Sequence, residues 1–268
     1  MKKLLLIIVS ICIALSAACS KSASTTSQNN NDSKVLAKED FAKMHSDPKS
    51  YKGYSVDFYG KVFVQPEKDK EGTMLQVWAD ANNSLNTIVA IKDTNTDFKQ
   101  GDIVHIKGSV TDETSGQNAF GATVKAPVVL AKSVEKSDYA TAFAPAKKTI
   151  DVNQEQNQNG YKLAVKKIEV ADNETRVYVS VKNESKVKVH FYSFNTKLID
   201  NGKQNEETKN YDAKYQEVQA DILPSLSSDG VIVFPKLSAD SGQVQLYVEA
   251  SSDDYSNRLQ PFTFDIKY

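Results

Sequence analysis

Over most of the chain, apolar and polar residues alternate with a period of two. Val56, Phe58 and Val62 alternate with Asp57, Tyr59, Lys61 and Phe63, which predicts a long strand broken or bent at Gly60. Ahead of it, Val35, Leu36, Phe41 and Met44 fall at helical spacing between Val35 and about Asp47, and Pro48 ends the predicted helix. A polar turn from Gln65 to Gly72 leads to two further strands, Met74 to Ala79 and Thr87 to Ile91. The run Gly101 to Val110 predicts a fourth strand with glycines where it must curl, and about Gly121 to Val134 a fifth. Five short strands behind a helix predict a small closed barrel over residues 35–138. Tyr139 to Lys148, with Phe143 and Pro145 among alanines, reads as a linker over 139–148.

The alternation then resumes. Tyr161, Leu163, Val165 and Ile168 lead into Arg176 to Asn183 and Val187 to Tyr192. Lys197 to Gly202 contains an Asn-Gly turn signal. Gly230 to Pro235, Gln243 to Ala250 and Pro261 to Tyr268 complete the set. About seven strands in about 120 residues predict a two-sheet sandwich over residues 149–268. The expected fold class is all-β, in two domains, as the 268-residue length allows.

The first residues break this pattern. Lys2 and Lys3 precede an apolar run from Leu4 to Leu15, and Ser16-Ala17-Ala18 stand directly before Cys19. That is the layout of a secretory signal, too short to span a bilayer. A cysteine directly after the small residues resembles a bacterial lipoprotein signal, with Ser16 where that family prefers Leu, Val or Ile. The resemblance implies residues 1–18 as signal peptide and a diacylglyceryl thioether on Cys19, anchoring the chain to the outer face of the cell membrane. The alternative is an ordinary signal with Cys19 left as a free thiol. Residues 19–34 include SKSASTTSQNNNDS, too polar to order itself, and are expected to form a flexible tether. The lysine bias and Asn-rich tether point to a Gram-positive cell.

Composition narrows the functional classes. Lys and Arg total 33 against 34 acids, and loss of Lys2 and Lys3 with the signal moves the net charge from −1 to −3. Arginine occurs only at Arg176 and Arg258, so the fork donors used for phosphates and base edges are scarce and a nucleic-acid partner is disfavoured. The two cysteines are Cys12 and Cys19, which leaves neither disulfide nor thiolate chemistry for the folded part. His45, His105 and His190 lie on a predicted helix, a barrel strand and the other domain, and do not converge. No His-x-x-x-His, Gly-x-Ser-x-Gly or phosphate-cradling glycine loop occurs, so no enzyme, no cofactor and no metal are expected. Asp93 to Asp97 has the acid spacing that opens a calcium loop. Phe98 and Val104 occupy the positions that need glycine and a closing glutamate, and a polar loop is the better reading. Ser251 to Asp254 reads as a solvated hairpin turn.

One arrangement leans towards ligand binding. With Val56, Phe58, Val62, Leu75 and Val77 inward, the residues Tyr59, Lys61, Phe63, Gln76 and Trp78 point outward together. Aromatics beside lysine on the middle strands of such a barrel stack bases or sugar rings. The competing reading packs these rings beneath the helix or against the second domain.

Two resemblances add expectations. Asp47 to Gly53, Tyr59-Gly60-Lys61-Val62 and Gly101-Asp102 to Val110 resemble the OB-fold domains of exported bacterial lipoproteins, over residues 35–138. Val179-x-Val181-x-Asn183, Leu198-x-Asp200-x-Gly202, Leu223-Pro224, Gly230 to Phe234 and Phe262-x-Phe264 are similar to the immunoglobulin-like domain shared by exported lipoproteins and mycobacterial immunoprotective extracellular antigens. These resemblances imply an OB-like barrel and an immunoglobulin-like sandwich whose matched positions are structural. They imply a surface binding or adaptor module, partnered by the membrane through Cys19 and by another surface protein or a cell-wall component. Two alternatives stand beside it: binding of single-stranded nucleic acid or wall glycan by the OB face, and a cell-wall-modifying enzyme.

Overall fold

The computed structural model describes residues 34–117, 121, 123–256 and 258–268. The expected signal peptide, Cys19 and all of the tether before Lys34 lie outside the described residues. The chain divides between Ser137 and Asp138 into two compact units. Among the described residues, no helix is long and apolar enough to cross a membrane.

The first unit opens with a 3-10 turn at Lys38–Asp40, helix α1 (Phe41–Ser46) and a second 3-10 turn at Pro48–Tyr51. Its strands are β1 (Ser55–Val62), β2 (Glu67–Lys68), β3 (Thr73–Trp78), β4 (Asn86–Ile91), β5 (Ile103–Gln117) and β6 (Thr123–Ser137). The order β1-β5-β6-β4-β3 returns on itself, because Lys61 and Val62 of β1 also pair with Trp78 and Val77 of β3. All these pairings are antiparallel except β4 with β6, where Ile88, Val89 and Ala90 run parallel to Val128, Val129 and Leu130. Period-two alternation sends Val56, Phe58, Val62, Leu75, Val77, Val89, Val104, Ile106, Val110 and Val129 into one buried cluster, and Met44 of α1 joins it. β1 is not broken at Gly60, which stays in register with Val104. A Cβ there would stand 2.8 Å from the Val77 side chain, so the close approach of β1 to β3 requires glycine.

The second unit contains helix α2 (Tyr139–Phe143) and nine strands among the described residues: β7 (Lys148–Gln158), β8 (Tyr161–Val170), β9 (Glu174–Asn183), β10 (Val189–Asp200), β11 (Lys203–Glu206), β12 (Asp221–Ile222), β13 (Ser227–Pro235), β14 (Gln243–Ser252) and β15 (Phe262–Lys267). One sheet has the order β13-β9-β8-β7. The other has β11-β10-β14-β15, with β12 paired to β10. Inward residues of both sheets, among them Tyr161, Leu163, Val179, Phe191, Leu198, Phe234, Leu246, Phe262 and Phe264, form one core. The chain is therefore all-β, with a sandwich in its second half. The Asn-Gly signal makes the β10–β11 hairpin, with positive φ at Asn201 and Gly202 as a type I′ turn needs. Asn183 is a structural tie: Nδ2 donates to the carbonyls of Val187 and Ile222, and Oδ1 accepts from the Ser185 amide and hydroxyl.

The segment read as a linker is instead built into the second unit. Asp138 caps α2 by accepting from the Thr141 amide at 2.8 Å. Tyr139 and Ala144 are buried with Ala171, against Phe143, Ala213 and Tyr215. Beneath them lies Arg176, only 1% exposed. Its guanidinium donates to Glu169 Oε2 (3.0 Å), Glu174 Oε1 (2.7 Å) and the Ala144 carbonyl (2.8 Å). The apparent linker is thus held by a buried cation from β9.

The free edge of β15 is covered in a related way. Gln154, Gln156 and Gln158, at every second position of β7, donate their side-chain amides to the carbonyls of Asp265, Thr263 and Gln260. The Gln260 amide returns a bond to Gln158 Oε1. Side chains of one sheet thereby satisfy edge groups of the other that could template pairing with a second chain.

Candidate functional site

Four of the five residues predicted to form an outer face come together in the first unit. Tyr59 and His105 are directly opposed on β1 and β5, and their rings stack at 4.4 Å with an 18° tilt. His105 Nε2 donates to Asp57 Oδ1 at 2.5 Å, and Lys107 lies 3.6 Å from the other oxygen of that carboxylate. His105's bond and Lys107's charge hold the Asp57 carboxyl below the usual carboxylate range. Lys61 is half-buried and sits between Ile103 of β5 and Trp78 of β3 in the pairing. Phe63, just past β1, donates its amide to the Gln76 carbonyl and stacks its ring on Trp78 at 4.2 Å and 20°.

Gln76 does not belong to this face as a ligand-contacting residue: it is 5% exposed. The alternation assigns it to the outer side of β3, but its neighbours enclose it. Phe41 of α1 packs on Phe58 at 5.1 Å, while Tyr59 and Phe63 find their partners in His105 and Trp78. His105 is half-buried and completes one stack.

Trp78 also borders a cavity of about 250 Å³, lined further by His45, Asn83, Ser84, Asn86, Val124 and Lys125. The β3–β4 turn that forms one wall is held by a single carboxylate. Asp80 accepts from the amides of Ser84 and Leu85 and from the Ser84 hydroxyl. Burial would raise the Asp80 pKa, but these donors outweigh it and keep the group ionised below the usual range. His45 Nδ1 donates to the Phe41 carbonyl at 2.9 Å, so Nε2 accepts from Thr87 Oγ1 at 2.8 Å; burial lowers its pKa. Asn86, opposite Trp78 in the register, is 7% exposed, and its Oδ1 has no hydrogen-bond partner. Asn86 and the turn escape sequence reasoning because only the β3–β4 register sets them beside Trp78.

The second unit has its own cluster. His190 Nδ1 and Nε2 face Asp221 Oδ1 (2.7 Å) and Asp253 Oδ1 (2.9 Å), so one imidazole bridges two carboxylates. Asp253, read as part of a solvated turn, therefore clamps β10 to the end of β14. Asp93 to Asp97 is a polar loop, with Asp93 Oδ1 accepting from the Asn95 amide. Among the described residues, no group of three or more His, Cys, Asp or Glu side chains is placed to hold a metal.

No protein-family profile matches the chain, and comparison with curated proteins gives no match. A solved structure described as a functionally unknown protein from Listeria monocytogenes EGD-e is similar over 47% of this chain and 86% of its own, at 10% identity and a TM-score of 0.36. A likeness of that size adds nothing to the fold derived from the strand pairings.

Proposed function

We propose that this protein is a non-catalytic binding module of the extracellular surface, lipid-anchored through Cys19, with an OB-type barrel that engages a ligand and an immunoglobulin-like sandwich that serves as adaptor. The observation that supports binding is the pair of ring stacks, Tyr59 on His105 and Phe63 on Trp78, gathered on one side of β1, β3 and β5. Flat aromatic surfaces fixed on strands are pre-organised platforms for planar or ring-shaped ligands. The support for anchoring is the order of charges, apolar run, small residues and Cys19 at the start of the chain. The expected partners are the membrane, a cell-wall component or another surface protein; nucleic acid is disfavoured.

Two comparisons test this reading in cells that export the chain. The wild-type protein is expected in the membrane fraction, released by detergent, and the Cys19→Ser variant in the medium. Equal distribution of the two would overturn the anchor. Purified wild-type chain is expected to sediment with isolated cell walls, and the joint substitution Tyr59→Ala with Phe63→Ala to remain in the supernatant. Equal sedimentation of both would remove the aromatic face from the function.

A further inference from the structure

Tight turns are ordinarily built from polar residues and glycine, and one turn of the second unit departs from this. Leu223-Pro224-Ser225-Leu226 joins β12 to β13, and its two leucines are each 55% exposed. The turn is also rigid. The Leu226 amide donates to the Leu223 carbonyl, the Ser225 amide to the Asn183 carbonyl, and the Asn183 amide to the Leu226 carbonyl. Ser225 is held at a φ of 66°, a left-handed strain that glycine would avoid. Neither the exposed leucines nor the strained serine stabilises the sandwich.

Two further loops meet this turn at the same end of the unit. Asn183 Nδ2 joins the Ile222 carbonyl to that of Val187, in the loop from β9 to β10. The Asp253 amide donates to the Lys188 carbonyl, which brings in the loop from β14 to β15. Lys186 and Asp254 border one cavity between those two loops, and Tyr255 beside it is 86% exposed. The charges at this end are unequally used. Glu184 pairs with Lys162 and Lys182, His190 bridges Asp221 and Asp253, and Asp254 accepts from the Ser256 amide and hydroxyl. Lys186 and Arg258 are exposed and have no polar partner among the described residues.

We propose that this end of the sandwich rests on an anionic lipid surface, with Leu223, Leu226 and Tyr255 entering the interface and Lys186 and Arg258 pairing with lipid phosphates. The proposal rests on the reading of the chain as lipid-anchored outside the cell, and adds a second, weaker contact to that anchor. Leucine enters the acyl boundary, tyrosine settles at headgroup level, and cations are drawn by the negative surface potential. A stable protein interface buries about 800 Å² on each partner, more than three side chains on loop tips supply, whereas a fluid surface closes round each tip. With so few side chains the contact is reversible, so the Cys19→Ser chain still reaches the medium.

Residues 20–268, which include every described residue and no cysteine, are mixed with sucrose-loaded vesicles and centrifuged. Sedimentation with vesicles of equal parts phosphatidylglycerol and phosphatidylcholine is expected. It should fall about fivefold or more on phosphatidylcholine alone, and again when salt is raised from about 0.05 to 0.5 M. The joint substitution Leu223→Ser with Leu226→Ser is expected to weaken binding about tenfold, and Lys186→Ala with Arg258→Ala to remove the preference for phosphatidylglycerol. Should the leucine variant not fold, Tyr255→Ser, at the most exposed of the three positions, must weaken binding. Three results would each overturn the proposal. They are no sedimentation with anionic vesicles, whether or not the leucines drive association of the chain with itself; equal binding by the leucine variant; and equal binding to phosphatidylcholine alone. The vesicle assay omits Cys19, so its failure leaves the anchor, tested by fractionation, standing.

Discussion

Replacing Arg176 by methionine is expected to destabilise the second unit by about 3–4 kcal/mol. The guanidinium is 1% exposed and serves two carboxylates and the Ala144 carbonyl. Removing one member of a buried ion pair costs ~3–5 kcal/mol, mainly because the partner charge is left behind. Glu169 would be cushioned, since Lys167 and Tyr178 also donate to it, which places the loss in the lower half of that range. Glu174 would keep the Tyr215 hydroxyl but no cation among the bonds described. For a unit of this size the loss corresponds to a fall in melting temperature of roughly 10–20 °C.

Urea and thermal unfolding followed by far-ultraviolet circular dichroism would measure this loss. Trp78 emission reports the first unit separately and serves as the internal reference. Adding Glu174→Gln to Arg176→Met is expected to recover about half of the loss, because it removes the uncompensated charge. The pH dependence supplies a second check. Burial alone would raise the Glu169 pKa, but bonds from Lys167, Tyr178 and Arg176 outweigh it and hold the carboxyl below its usual range. A carboxyl depressed on folding contributes stability above its unfolded pKa, and that contribution is lost as pH falls through the folded value. The gap between wild type and Arg176→Met should therefore narrow below about pH 4. A loss under about 1 kcal/mol, or a further loss on adding Glu174→Gln, would refute this account of what holds α2 in place.

Two further predictions concern particular side chains. Because burial lowers the His45 pKa, the folded first unit binds fewer protons than the unfolded chain, so its stability should fall as pH drops below about 6.5; His45→Gln should flatten that slope in Trp78-monitored melts at pH values either side of it. Joint replacement of Gln154, Gln156 and Gln158 by alanine should cost about 1–3 kcal/mol and, through the uncovered β15 edge, produce concentration-dependent association in sedimentation, whereas a monomer at all concentrations would show that the glutamines do not guard the edge.

The features that sequence reading captured are those set by neighbours in the chain. Alternation placed Val56, Phe58, Leu75 and Val77 inward, and the Asn201-Gly202 pair announced its hairpin. The missed features depend on partners far along the chain. Alanines around Phe143 look like a linker until Arg176, 32 residues beyond Ala144, reaches back to its carbonyl. The glutamines of β7 look like solvated polar positions, yet their partners lie more than a hundred residues away, on β15 and at Gln260 just before it.

The same distinction governs the candidate site. Period two can say that Tyr59, Lys61, Phe63, Gln76 and Trp78 share one side of their strands, and four of them do stand together. It cannot say which outward position is enclosed, and Gln76 is. Nor can it find Asn86, a polar residue at the start of a strand that reads as ordinary turn chemistry. Its character emerges only when pairing with Trp78 buries it and leaves Oδ1 without a donor.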